Sequence, residues 1–159
     1  MPAVAHWPLI LAVLVVALLA LLLRRLRRVR YVPREYLLTE GERRFARALE
    51  EALPKGVRAH AKVRLWDVVD APPGRGYRER TRPIRAKHLD FVLVDAATSR
   101  ILAAIELDDR SHDRPDRRER DAFVDAALAS AGVPLLRVRV ARRYDPRTLL
   151  DPIWDDLGA

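Results

Sequence analysis

Three acids stand where buried strands are normally apolar. Asp90 interrupts the alternating run Leu89–Val94, and Glu106 and Asp108 interrupt a second run, Arg100–Asp108. Residues two apart on a strand share a face, so Glu106 and Asp108 fall together. The same alternation puts Asp90 with His88, Val92 and Val94, and Glu106 with Ala104 and Leu102. Carboxylates crowded at one end of a buried sheet raise one another's pKa unless a cation neutralises them. A hard divalent ion with oxygen ligands is the usual remedy, and Mg²⁺ (or Mn²⁺) suits one to three carboxylates plus water. The plainer alternative is a set of strand-end acids paired with arginines, since ion pairs are common in a chain that is 33% charged.

His112 lies just past the acidic strand and is a candidate acid or base, set against an incidental histidine in a polar loop. Ser111-His112-Asp113 carries the names of a hydrolase triad, but consecutive side chains diverge and cannot bond in series. Zinc is not expected, because His60, His88 and His112 lack helical spacing and the chain has no cysteine. The missing cysteine also excludes a disulfide scaffold and thiol chemistry. Ala71–Lys87 (APPGRGYRERTRPIRAK) reads as a Pro/Gly-rich basic loop. Its Arg75, Arg78, Arg80 and Lys87, with His88 beside them, are candidate phosphate contacts; the rival reading is a solvated loop. With Tyr77 as the sole aromatic, that stretch offers no stacking platform.

The elements that must position these residues can be read in order. Thr39 and Glu42 fit a capping box opening a helix to about Leu53, which buries Phe45, Leu49 and Ala52. Val57–Leu65 alternates as a half-buried strand. The two acidic runs form a hairpin across a turn at Asp95–Ser99. A helix with Phe123, Val124, Ala127, Leu128 and Ala131 on one face follows, with Gly132 as its C-terminal cap. Leu135–Val140 is the next strand, making a βαβ crossover with the second hairpin strand. Asp145-Pro146 and Asp151-Pro152 look like openings of short helical pieces. The result is one α/β domain of order αβββαβ with a mixed central sheet.

Several runs resemble the DUF2726 family: LTEGERRF (38–45), KHLDFVL (87–93), IELDDRSH (105–112), ERDAF (119–123) and AGVPLLRV (131–138). The resemblance covers residues 37–141. It implies the PD-(D/E)XK, or restriction-endonuclease-like, superfamily, near the very-short-patch-repair type. It further implies Asp90 and Glu106 as metal ligands and Glu42 as a third acid facing the site. Active members usually carry Glu-x-Lys on the second strand, whereas this chain has Glu-Leu-Asp, ending at Asp108. Lys87 is taken as the only nearby lysine, yet its parity with Asp90 sends it to the opposite face. His112 is therefore the better substitute.

Upstream, Pro2–Leu23 holds no charged residue, and Arg24, Arg25, Arg27, Arg28 and Arg30 follow directly. Trp7–Leu23 would make about 26 Å of helix, near the lower limit for a bilayer, and Ala3–His6 extends it. A buried core helix would show an amphipathic stripe. A signal peptide would carry its basic residues before the apolar run. The expected arrangement is a single-pass anchor in the cell membrane, with its arginines at anionic headgroups and the following domain cytoplasmic. Residues 1–23 hold the anchor, 24–36 are a basic linker, 37–141 the domain and 142–159 a tail. Of the net charge of +8, residues 31–159 carry +3, so the body is no polycation. The leading expectation is a membrane-anchored, Mg²⁺-dependent nuclease. The alternative is an inactive module of the same fold that binds nucleic acid or protein, and a third is a structural membrane protein.

Overall fold

The computed structural model describes residues 6–26, 31–108 and 115–154, with residues 25, 26 and 115–120 described by their backbone alone. The chain divides into two units, Met1–Leu37 and Leu38–Ala159.

The first unit contains helix α1 (Trp7–Leu26). Its large apolar side chains from Trp7 to Leu23 are exposed. By length and composition the helix can cross a membrane.

The second unit begins with α2 (Glu40–Ala52), capped as expected: Glu42 N–H donates to Thr39 Oγ1, and Thr39 N–H donates to Glu42 Oε2 at 2.9 Å. Strands β1 (Val57–Arg64), β2 (His88–Asp95) and β3 (Ile101–Asp108) pair antiparallel in sequence. Helix α4 (Pro115–Ser130) then returns the chain to β4 (Leu135–Arg139), which lies parallel to β3. The sheet is therefore mixed, in the order β1-β2-β3-β4. At the end of α4, Gly132 takes φ +68°, and Val133 N–H donates to Leu128 O, so the glycine caps the helix as its position implied. In the tail, Asp151–Ile153 forms a single 3-10 turn, whereas Asp145-Pro146 opens turns without a helix.

Two apolar layers enclose the sheet. Phe45 and Leu49 of α2 pack with Phe91, Leu93, Ala103, Ile105, Leu136, Leu150 and Ile153. On the other side Val124 and Leu128 of α4 pack with Leu65, Ile84, Leu89, Val92, Val94 and Ala104. Ala52, assigned to the core by periodicity, is half-buried, and Ala48 takes that place.

The basic stretch before β2 is not a loop. Tyr77–Arg85 is a helix, α3, which buries Thr81 and Ile84 one turn apart. Gly76, at φ +74°, turns the chain into it, and Pro83 falls in its last turns, where a missing N–H costs little of the ladder. Arg80 donates to Arg75 O and Pro72 O, tying down the preceding turn.

Candidate active site

A lysine of β1 that the sequence did not single out stands beside the first acidic strand. Lys62 stands across the ladder from Asp90, between the pairs Ala61↔Phe91 and Val63↔Leu89. Its Nζ lies 3.1 Å from Asp90 Oδ1 and 2.6 Å from Glu42 Oε1. One ammonium thus joins acids from α2 and β2. The same Glu42 caps α2 with its other oxygen, so the helix start fixes where the site's acid stands.

The strands distort to allow this. Lys62 has φ +58°, a left-handed conformation uncommon for a long side chain. Ala61 and Phe91 pack in the α2 layer, but Val63 and Leu89, two residues further, pack in the α4 layer. Both strands therefore change phase at Lys62 and Asp90, while the register holds. The alternation that grouped Asp90 with His88, Val92 and Val94 fails here. Val92 and Val94 face α4, whereas Asp90 meets Lys62, which is bonded to Glu42 of α2. The β2–β3 pairs run from Val94↔Ile101 to Phe91↔Ile105. Beyond that end, Asp90 Oδ2 accepts the Leu107 N–H at 2.9 Å, so its carboxylate takes a strand donor past the last ladder pair. Backbone strain of this kind costs about 1–3 kcal/mol and is held in place by its surroundings.

Electrostatics reinforce the arrangement. Burial pushes Glu42 up, but its bonds to Lys62 and Thr39 outweigh that and hold it below the usual carboxylate value. Burial pushes Lys62 down, and its bonds to Glu42 and Asp90 outweigh it, raising the ammonium above its ordinary range. Both groups are held charged.

The other predicted residues distribute unevenly. Asp108 lies in a different cluster: Arg137 of β4 donates to it at 2.8 Å and to Asp125 of α4 at 2.7 Å. Glu106 sits opposite Arg137 in the parallel ladder and is half-buried. Lys87, just before β2, lies 6.0 Å from the Phe123 ring of α4, on the layer away from Glu42. His88 is exposed at the start of β2, opposite Arg64. Arg75 and Arg78 are exposed, and Arg80 is engaged with backbone carbonyls. His112 lies outside the described residues.

Asp90 and Glu106 supply hard oxygen donors from adjacent strands, one step past the final β2–β3 pair, which suits a magnesium ion in kind. Among the described residues no three His, Asp or Glu side chains cluster as a metal cage.

Sequence reasoning missed Lys62. It sits in an ordinary alternating strand, VRAHAKVR, where an exposed lysine is unremarkable. The pairing of that strand with β2 was the missing information.

Residues 34–157 match the model of the family described as protein of unknown function (DUF2726), and the chain belongs to that family. No curated protein and no solved structure matches it.

Proposed function

We propose that this DUF2726 member is a membrane-anchored, metal-dependent phosphodiesterase acting on nucleic acid, with a restriction-endonuclease-like site whose lysine is supplied by β1. The observation that carries this reading is Lys62 Nζ at 3.1 Å from Asp90 Oδ1. Glu-Leu-Asp lacks the lysine of an active Glu-x-Lys, and Lys62 brings an ammonium to Asp90, the other acid of the proposed metal pair, from the neighbouring strand.

Asp90 and Glu106 would hold Mg²⁺ or Mn²⁺. Such an ion acts as a Lewis acid on a phosphoryl oxygen and lowers the pKa of bound water. Lys62, kept cationic by Glu42, would face the charge that develops on the phosphate, where a fixed cation in a partly dry site acts strongly. Glu42 positions that ammonium through its bond and through the helix cap. His112 remains the candidate acid or base for the leaving oxygen. Asp108, bonded to Arg137, braces β3 against β4. In this reading α1 is the anchor, Arg24–Arg30 lie at anionic headgroups, and the catalytic unit is cytoplasmic.

The test is cleavage of labelled DNA and RNA by the full chain in zwitterionic nanodiscs, with Mg²⁺, Mn²⁺ or EDTA. Metal-dependent cleavage lost in Asp90→Asn supports the reading. Salt-sensitive binding with no cleavage under any metal would replace it with the inactive binding module, in which Lys62 neutralises the acids permanently. Extraction of the chain by alkaline carbonate would overturn the anchor.

A further inference from the structure

Two residues along β1 from Lys62, a second cationic feature lies outside the acid cluster. Arg64, Trp66 and Arg85 line a cleft of about 290 Å³. The Arg85 guanidinium of α3 lies over the Trp66 ring, 3.9 Å from its centroid. Trp66 is half-buried and is met from the side by Tyr77, whose hydroxyl donates to Asp70. The platform is thereby held from α3 and from the turn that follows β1.

A planar guanidinium against an indole face keeps its N–H donors near its own plane, available to an acceptor at the edge. Among the described residues no hydrogen bond or ion pair to a protein acceptor engages Arg85. The stack also removes much of the side-chain freedom that a free arginine loses on binding, which makes the group a prepared receptor. Arg64 adds a second guanidinium. It is bonded to Asp67 through Nε at 2.9 Å and Nη2 at 2.8 Å. That pair is solvent-exposed, with side-chain exposures of 59% and 42%, so it is weak and open to competition. Asp67 lies against Arg64, and Asp70 is held by the Tyr77 hydroxyl; the residues that line the cleft itself, Arg64, Trp66 and Arg85, include two cations and no carboxylate.

We propose that Arg85, stacked on Trp66 and assisted by Arg64, forms a subsite for a backbone phosphate of a nucleic-acid strand. The identity of the ligand rests on the phosphodiesterase reading; the anion-receptor geometry does not. Lys62 and Arg64 are two residues apart on β1, so a nucleic-acid strand with one phosphate at Lys62 can place another near Arg64. The basic character of the stretch before β2 then has a use at Arg85, rather than at Arg80, which is bonded to backbone.

The experiment measures binding of fluorescein-labelled dT12 and rU12 to the full chain in zwitterionic nanodiscs, in EDTA, by anisotropy across a salt series. These discs present no net anionic lipid, so the oligonucleotide is the polyanion being read. Arg85→Gln is expected to weaken binding about tenfold and to reduce the salt slope by about 0.7, one phosphate contact of a single strand. Trp66→Leu should weaken binding while Trp66→Phe, which keeps a ring under the guanidinium, should largely preserve it. Asp67→Asn should tighten binding, because it releases Arg64 and removes the opposing charge. Binding by Arg85→Gln within twofold of wild type, or weakened binding in Asp67→Asn, overturns the subsite. Arg85-dependent binding without metal-dependent cleavage leaves the subsite standing and removes the nuclease reading. Cleavage with a KM indifferent to Arg85→Gln does the reverse.

Discussion

The sheet carries two clusters of the same composition, each one cation between two carboxylates. At one, Lys62 joins Glu42 and Asp90; at the other, Arg137 joins Asp108 and Asp125. They are built differently. The acids around lysine are more enclosed, with side-chain exposures of 14% and 19%, against 30% and 51% around arginine. The lysine cluster distorts its strands, with φ +58° at Lys62 and Asp90 taking a strand donor past the last ladder pair. The arginine cluster leaves the parallel β3–β4 register regular from Ala104 to Asp108. Arginine with its fork satisfies two acids at the rim of a fold, whereas a compact ammonium lies between acids that the backbone was bent to present. The contrast sets a regular brace apart from the strained cluster on which the proposed function rests. Local strain that stability does not require is where function is sought.

Cleavage is where the two clusters should differ most. Glu106→Gln should abolish it, since a neutral oxygen holds Mg²⁺ far more weakly than a carboxylate. Lys62→Met should lower kcat by about 10²–10³, the range for a lost electrostatic contact to developing charge. Arg137→Met should leave the rate of the folded protein within about threefold. Single-turnover rates for the three variants decide it. Equal losses at Lys62 and Arg137 would erase the distinction between site and brace.

Stability should separate them next. Lys62→Met leaves two enclosed carboxylates facing each other and should cost about 1–3 kcal/mol. Arg137→Met leaves acids that water reaches more easily and should cost about 0–1 kcal/mol in the electrostatic part. Denaturant midpoints of the full chain in nanodiscs measure both. A larger loss at Arg137 would show that the brace carries more of the fold than its exposure suggests.

Backbone strain provides a finer contrast. Lys62→Asn keeps a residue tolerant of positive φ, whereas Lys62→Val places a branched Cβ there, and the two should differ by about 1–2 kcal/mol. At Arg137, in an ordinary strand, the corresponding Asn variant should hold no such advantage over Val. Matching Asn–Val differences at both positions would mean that Lys62 is unstrained.

How much of this could be read from residues alone follows from what each signal depends on. The capping box, the two acidic strands and the glycine after α4 are local patterns, and each element formed where its pattern lay. Helix α3 was lost because proline and glycine dominate APPGRGYRERTRPIRAK, and two buried residues, Thr81 and Ile84, are a faint apolar stripe. The place of Asp108 at Arg137 and the place of Lys62 at Asp90 depend on which strands lie adjacent, information that no single strand contains. The assumed face of Asp90 failed because alternation presumes unbroken phase, and the phase breaks at Asp90 itself.

The smallest expected difference lies in the response to pH, and it isolates the charge of Glu42. Its folded pKa is below the ordinary 4.5, so it contributes stability that is present above that value and lost as pH falls through the folded value. Lys62 has its folded pKa raised above 10.5, so its contribution is complete below 10.5 and lost as pH rises through the folded value. The lysine cluster is therefore at full strength across the neutral range and weakens at both ends. Burial pushes Arg137 down, but its bonds to Asp125 and Asp108 outweigh that and raise it above its ordinary value, so it stays charged where the lysine begins to discharge. Glu42→Gln is the informative variant, because glutamine can keep the reciprocal cap with Thr39 while removing the charge. The stability gap between wild type and Glu42→Gln should be constant from pH 6 to 8 and close as pH falls below 4.5. Denaturant midpoints along an acid series measure that gap. A gap that stays open in acid would mean that Glu42 stabilises the chain through shape alone, and the lysine cluster would lose the electrostatic feature that sets it apart from the arginine brace.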